Sequence, residues 1–396
     1  MSLREIKPGN RGYLYLNSHP AGCATVVDRM WQQLPGPADD RPGPVALVVG
    51  ASAGYGLAAT LTGLRSHRMR GLGIAFEAPG TVRRTASAGW YRTARTAELA
   101  AEAGADFGFL NGNAFSASVK AEALDRLAAR FGKVDLLIYS VAAPRRADPL
   151  TGEVHHSVIR PLGADYRAKS LVFEDDAPRI GGLHLPAAEP AEAEATVQVM
   201  GGADWQLWIE ALESRGLLAE GFRTVALSYV GSEITAPIYR AGTIGAAKQH
   251  LEDTARALDT RLAGLGRAHT VVAGAAVTQA STAIPSIALY TSILHRVAGD
   301  GWQTTADQAQ ALWAQLTGPA TATDDQNRIR LDAWELDPAV QAAVGTVWEQ
   351  VDTDTIADTA DTTWFRDQVA QLYGWNVPGV DYTTPVETAV PWPTVL

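Results

Sequence analysis

Short apolar runs alternate with longer mixed stretches through the first two thirds of the chain. Residues 44–49 are apolar and β-branched, lie between proline and glycine, and read as a buried strand. Residues 71–77, 107–110 and 134–141 repeat that signature, and 224–230 and 270–277 add a fifth and a sixth strand. Residues 57–64, 115–131, 204–214 and 241–265 carry helix-compatible sequence between them. This alternation predicts an α/β fold with a doubly wound parallel sheet. Residues 145–200 break the rhythm. The turn Thr151-Gly152-Glu153 and alternating stretches on either side of Leu162-Gly163 predict a small β-hairpin insertion. After Pro285 the pattern is mostly helical to about residue 345, and residues 374–382 are irregular and aromatic.

Composition narrows the function classes. Of 396 residues, 46% are hydrophobic and 19% charged, as in an ordinary folded globular protein. A net charge of −10 weighs against nucleic acid or an anionic membrane as partner. The single cysteine, Cys23, excludes an intrachain disulfide and a cysteine-built metal cluster. No apolar run is long enough to span a bilayer and residues 1–12 hold no apolar signal region, which predicts a cytoplasmic protein. No metal is expected. His155-His156 lacks an accompanying carboxylate or cysteine pattern, and Asp324-Asp325 and Asp352-x-Asp354 read as turns and helix caps.

Gly50-Ala51-Ser52-Ala53-Gly54-Tyr55-Gly56 connects the first strand to a helix. A glycine-rich turn there brings bare backbone N–H groups to a positive helix end, which suits a pyrophosphate and makes the sheet Rossmann-like. The spacing Gly50-x3-Gly54-x-Gly56 departs from the G-x-G-x-x-G fingerprint, and such turns also close strand–helix connections that hold no ligand. Glu77 tips the balance. It ends the second strand, where a carboxylate accepts adenosine ribose hydroxyls and repels a 2′-phosphate, favouring NADH over NADPH. Asn113, after the third strand, reads equally well as an adenine contact or as a turn residue in Asn111-Gly112-Asn113. Residues 140–143 are small, from close packing or from a nearby nicotinamide ribose. The whole predicts one extended body: an N-terminal segment 1–44, a dinucleotide-binding core 45–300 interrupted at 145–200, and a mainly helical extension 301–396.

Catalytic candidates follow the fifth strand, where open α/β sheets place ligands. Tyr239 and Lys248 are nine positions apart, which on one continuous helix sets them on opposite faces. They converge only if Tyr239 precedes the helix, and Gly242 and Gly245 make a helix start near there plausible. Beside a nicotinamide, a lysine ammonium bonds ribose hydroxyls and favours a more acidic phenol, and the phenol stabilises or protonates an oxyanion.

Several motifs together resemble the family of FabV-type enoyl-ACP reductases and trans-2-enoyl-CoA reductases. They are His19-Pro20-x-Gly22-Cys23, the glycine turn, Ala88-Gly89-Trp90-Tyr91, Met200-Gly201-Gly202-x-Asp204-Trp205, the Tyr239-x8-Lys248 pair and Thr278-Gln279-Ala280-Ser281-x-Ala283-Ile284-Pro285. Arg328-x-Arg330-Leu331-Asp332-x-Trp334-Glu335 and Gly379-Val380-Asp381-Tyr382 complete the set, from about residue 5 to 385. Short-chain dehydrogenases, the related superfamily, space their Tyr–Lys pair much closer. The resemblance implies a monomeric NADH-dependent reductase of the trans-2 double bond of enoyl-CoA or enoyl-acyl carrier protein, with no metal or flavin required. It assigns cofactor contacts to Gly50, Ala51, Ser52, Ala53, Gly54, Tyr55, Phe76, Glu77, Asn113, Ala114, Val141, Ala142, Lys248, Val277, Thr278 and Gln279. Tyr239 would donate the proton and Tyr229 would touch the substrate. This chain departs from the family at Asn113, Ala236, Arg240-Ala241 and residues 141–144, changes that bear on the substrate more than on the reaction. A short-chain ketone or alcohol dehydrogenase and a non-catalytic NADH-binding homologue are the alternatives.

Overall fold

In the computed structural model, which describes residues 3–81 and 83–393, Val45, Leu47 and Val49 join one core and Ala46 and Val48 another. A central strand with helices over both faces must be apolar at every position, hence the uninterrupted run. The sheet holds β1 (Val45–Val49), β2 (Arg70–Ala75), β3 (Phe107–Asn111), β4 (Val134–Tyr139), β5 (Leu218–Ser228), β6 (Gly266–Val272) and β7 (Arg328–Arg330). Its order is 3-2-1-4-5-6-7, and every neighbouring pair is parallel. The winding reverses between β1 and β4, which sets a ligand crevice at the carboxyl ends of those two strands.

The helices, in chain order, are α1 (Pro20–Gln33), α2 (Gly54–His67), α3 (Ala88–Glu102), α4 (Ala117–Arg130), α5 (Pro190–Met200), α6 (Ala203–Ser214) and α7 (Thr243–Arg261). Then come α8 (Pro285–Ala298), α9 (Thr305–Thr317), α10 (Pro338–Gln350), α11 (Ile356–Thr359) and α12 (Thr362–Gln371). Leu124, Trp205, Trp208, Leu251 and Leu258 bring α4, α6 and α7 against one face of the sheet. Val27, Leu61, Leu99 and Trp313 bring α1, α2, α3 and α9 against the other.

Four features of the strands and turns differ from the sequence expectations, and helices α1, α3 and α5 were not expected. The insertion is two hairpins. The first (Arg145–Ala147 with Val154–His156) turns near Thr151-Gly152 as expected. The second (Tyr166–Glu174 with Ala177–Leu185) turns at Asp175-Asp176, not at Leu162-Gly163. Both aspartates have positive φ, 46° and 66°, as a tight two-residue hairpin loop demands. Strand β5 starts at Leu218, with a register shift between Leu218 and Arg223 where Gly221 takes φ 75°. Residues 273–277 leave the sheet as a loop rather than extending β6. Strand β7 is a further edge strand within the region read as helical.

The long hairpin is anchored onto the helical extension. Leu171 packs with Leu289, Ile293 and Phe365. Lys169 Nζ donates to the carbonyls of Trp348, Glu349 and Val351 at 2.8–2.9 Å, which satisfies the end of α10.

Candidate active site

The glycine turn is shut on its inner side and open on its outer side. A Cβ on Gly50 would strike the Ser140 carbonyl oxygen across the β1–β4 crevice, and one on Gly56 would strike the carbonyl of Gly50. Gly54 has φ +51°, and the nearest atom to an added Cβ there is Thr278 Cγ2 at 3.6 Å. Helix α2 starts at Gly54, and no side chain caps it, so its first N–H groups face the crevice unpaired by side chains. Gly50 and Ala51 N–H both donate to the Ile74 carbonyl, at 2.9 and 3.0 Å, fixing the turn to β2. The buried Arg92 of α3 donates to the Ser52 carbonyl at 3.1 Å and to the Leu372 carbonyl at 2.8 Å.

Glu77 stands just past β2 and is held from both sides. Its Oε1 accepts from Ser52 Oγ at 2.6 Å and its Oε2 from Ser87 Oγ at 2.5 Å. Gly89 is glycine because a Cβ there would collide with this carboxylate. The Asn111 carboxamide brackets the Glu77 peptide, accepting from its N–H at 2.8 Å and donating to its carbonyl at 3.0 Å. Ser87, Asn111 and Arg92 were not singled out as site residues in the sequence; Asn111 and Arg92 act on partners 34 and 40 positions away. Phe76 is 74% exposed beside Glu77. The Asn113 side-chain oxygen accepts from Phe115 N–H at 3.1 Å. Of the two readings of Asn113, the structure thus shows the turn contact, with the carboxamide N–H2 left to donate elsewhere.

Residues Ala114, Val141 and Ala142 line up along the same strand-end edge. Lys120 Nζ donates to the Ala114 carbonyl at 2.7 Å and to Asp204 Oδ1 at 2.6 Å, and Tyr139 O–H donates to Asp204 Oδ2 at 3.0 Å. Burial pushes the Asp204 carboxyl up and pulls the Lys120 ammonium down against their mutual attraction. Asp204 gains its place from Gly201-Gly202, where a Cβ on Gly202 would collide with the Thr254 side chain of α7. The Val277-Thr278-Gln279 loop is tied by Thr278 N–H to Ser281 Oγ at 2.8 Å and by Ser281 N–H to Thr278 Oγ1 at 3.1 Å.

Tyr239 lies in the turns that precede α7, as its spacing from Lys248 required. Its backbone packs on the first turn of α7, where a Cβ on Gly245 would strike the carbonyls of Tyr239 and Arg240. The rings of Tyr229 and Tyr239 meet edge to face with centroids 4.8 Å apart. Lys248 Nζ donates to the Leu227 carbonyl at 3.0 Å, at the end of β5 and two residues before Tyr229. Burial pulls the Lys248 ammonium down to about 8, with Glu252 opposing. The Tyr239 phenol moves the other way from the acidification expected of a lysine neighbour: burial pushes it up, and the charge of Glu335 adds to that. Tyr239 therefore stays protonated as a hydrogen-bond donor. Arg240 is turned away onto α7, paired with the buried Glu252 at 2.9 Å and with Gln249 at 3.0 Å.

The turn and the tyrosines are joined by one chain of contacts. Tyr55 O–H donates to the Gly274 carbonyl. The next N–H, of Ala275, donates to Glu335 Oε2 at 2.6 Å, and Glu335 Oε1 accepts from Tyr229 O–H at 2.7 Å. Among the described residues no group of three or more His, Cys, Asp or Glu side chains is placed to hold a metal. Burial pushes the Cys23 thiol up to about 12, far from a nucleophile's range.

Three family models match the chain: an NAD(P)H-binding domain of trans-2-enoyl-CoA reductase over residues 5–82, a trans-2-enoyl-CoA reductase catalytic region over 84–317, and an enoyl reductase FAD-binding domain over 323–386. The sheet draws strands from all three segments. An enoyl-[acyl-carrier-protein] reductase [NADH] of Streptomyces avermitilis is 54% identical over 98% of this chain and all of its own length. A trans-2-enoyl-CoA reductase [NADH] of Clostridium perfringens is 38% identical over 96% of this chain and 98% of its own. The structure is similar to that of Treponema denticola trans-2-enoyl-CoA reductase in complex with NAD, with a TM-score of 0.91 and 34% identity over 99% of this chain and all of that one.

Proposed function

Because the chain belongs to the trans-2-enoyl-CoA reductase family, we infer that it reduces the trans-2 double bond of an enoyl thioester, carried on CoA or acyl carrier protein, with NADH. The observation that carries this reading is the contact chain from Tyr55 through Gly274, Ala275 and Glu335 to Tyr229, which sets a dinucleotide turn and a tyrosine pair on one sheet edge.

The residues fit the cofactor. The outer face of the turn is open at Gly54, and Glu77 is oriented by two serines while each of its oxygens keeps lone-pair capacity for a ribose hydroxyl. On this reading Gly50 to Tyr55, Phe76, Glu77, Asn113, Ala114, Val141, Ala142, Lys248, Val277, Thr278 and Gln279 hold NADH, which supplies the hydride that adds to the β-carbon. As the new C–H bond forms, the double-bond electrons move onto the thioester oxygen. Tyr239, assisted by Tyr229, donates a hydrogen bond where that negative charge develops; as the enolate collapses back to the thioester carbonyl, its electron pair forms a C–H bond at the α-carbon with the proton Tyr239 supplies, which completes the saturated product. Lys248 orients the ribose. The segment matched by the flavin-named model does not fit a flavin. Strand β7 is bonded into the sheet, and the buried charged side chains around it have protein partners: Glu335 with Tyr229 and Tyr290, Asp332 with Arg330, Arg328 with Asp324 and Glu252. No step runs through one.

Ala236 and Arg240 place no large aromatic at these two positions beside the tyrosine pair, and Arg240 is paired with Glu252. A panel of enoyl thioesters of increasing length reads the consequence. No helix among the described residues is long and apolar enough to cross a membrane. The reading extends to a monomeric cytoplasmic enzyme, which sedimentation of the purified protein checks.

Glu77→Ala should raise the NADPH/NADH ratio of kcat/KM by about tenfold or more, because the carboxylate that repels a 2′-phosphate is gone. An unchanged ratio would remove Glu77 from the ribose site.

A further inference from the structure

Glu335 is a carboxyl group with no solvent exposure, and it meets the tyrosine pair from below. Its Oε1 lies 2.7 Å from the Tyr229 hydroxyl and 2.9 Å from the Tyr290 hydroxyl of α8, and its Oε2 accepts from Ala275 N–H at 2.6 Å. Gln341 of α10 donates one amide hydrogen to the Glu335 carbonyl at 2.6 Å and the other to the Tyr290 hydroxyl oxygen at 3.2 Å. The Tyr290 oxygen is thus an acceptor for Gln341, and its own proton points to Glu335. Among the described residues no lysine, arginine or histidine bonds to this carboxyl.

A hydrogen count then separates two states. With Glu335 ionised, both tyrosines must donate to it, and the Tyr229 proton is held away from the substrate side. With Glu335 neutral, Oε1 carries a proton, accepts from Tyr290 and donates to the Tyr229 oxygen, while Oε2 still accepts from Ala275. Every partner is satisfied and the Tyr229 proton is released outward. We propose that Glu335 is a positioning residue for the reduction, whose neutral carboxyl donates to Tyr229 and so turns the Tyr229 hydroxyl hydrogen toward the thioester oxygen. The proposal rests on the reading that Tyr229 and Tyr239 face the thioester.

The surroundings bring the neutral state into the neutral pH range, where it is about half populated at pH 7 and predominates below. Burial pushes Glu335 up to about 7, opposed by the donors Tyr229, Tyr290 and Ala275 N–H, and the charge of Asp332 pushes it further up. Asp332 is itself paired with Arg330 at 2.6 Å. The other titratable groups facing this carboxyl are Tyr55, Tyr229, Tyr239 and Tyr290, all held protonated by burial. An ionised Glu335 would also place negative charge beneath the developing enolate oxygen, which opposes the reaction.

The sign follows: the positioning is present below about pH 7 and is lost as pH rises through it. The test is the pH profile of kcat/KM for crotonyl-CoA with wild type, Glu335→Gln and Glu335→Ala, together with NADH affinity from fluorescence. The glutamine amide can donate to Tyr229 and accept from Ala275 N–H at every pH. Wild type should decline from an inflection near 7, and Glu335→Gln should begin its decline about one pH unit higher, where Lys248 titrates. Glu335→Ala should lower kcat by about 10–100-fold with NADH affinity kept within about twofold, and glutamine should recover most of that loss. A Glu335→Gln profile that keeps the wild-type inflection, or an alanine variant as fast as wild type, would overturn the role of Glu335 alone. Absence of crotonyl-CoA reduction by wild type at every pH would overturn the functional reading and this proposal with it.

Discussion

Tyr239→Phe should lower kcat for crotonyl-CoA by about 10²–10⁴-fold and leave NADH affinity within about twofold. The substitution removes one oxygen and keeps the ring, so the edge-to-face contact with Tyr229 survives. What is lost is a donor aimed at charge that appears only during the reaction, which lowers kcat rather than raising KM. Burial holds the Tyr239 phenol above its ordinary range, so the group is protonated at every pH where the enzyme is assayed and supplies no inflection of its own. Single-turnover kinetics with the enzyme in excess reads the chemical step directly. A phenylalanine variant with wild-type kcat would move the proton donor elsewhere.

The second large effect is on stability. Asp204→Ala should cost about 3–5 kcal/mol, because it leaves the Lys120 ammonium buried and uncompensated and the Tyr139 hydroxyl without its acceptor. Lys120 and Asp204 are 8% and 2% exposed at their side chains, so solvent cannot take over either partner. Replacing both, Lys120→Met with Asp204→Leu, removes both charges and should recover all but about 1–3 kcal/mol, the residue being the unpaired Tyr139 hydroxyl and Ala114 carbonyl. Denaturant unfolding of the three variants measures this. A double variant as unstable as Asp204→Ala would show that packing, not charge, sets the cost.

Strands β1, β2 and β4 were legible because each is a central strand covered on both faces and apolar along nearly its whole length, and β3, β5 and β6 because each holds a short run of apolar residues. Strand β7, Arg-Ile-Arg, was not. Only Ile329 enters the core, and Arg328 and Arg330 are matched by Asp324, Asp332 and Glu252, a pattern that looks like exposed polar chain. Helix α3 was equally hidden, since it buries Arg92, Thr93 and Thr96. The threonines bond back to carbonyls one turn earlier, at 2.7 and 2.8 Å, so polar side chains are buried beside Trp90, Tyr91 and Leu99. The long hairpin turned at Asp175-Asp176 because aspartate tolerates the left-handed region, whereas the sequence cue rested on Gly163.

The glycine turn, Glu77, Tyr239 and Lys248 could be singled out as candidates in the sequence because each carries a local constraint: a strand end, a helix start, or a spacing that forbids one continuous helix. Glu335 carries no such mark. Its partners Tyr290 and Tyr229 lie 45 and 106 positions away, and only the folding of α8 and the C-terminal extension against β5 and β6 brings a carboxyl beneath the tyrosines.

The most direct measurement follows NADH consumption by the purified protein with crotonyl-CoA and, in parallel, with acetoacetyl-CoA, identifying the products by mass. The account predicts one NADH consumed per crotonyl-CoA, yielding butyryl-CoA, and no turnover of acetoacetyl-CoA. Reduction of the ketone with crotonyl-CoA untouched would contradict it.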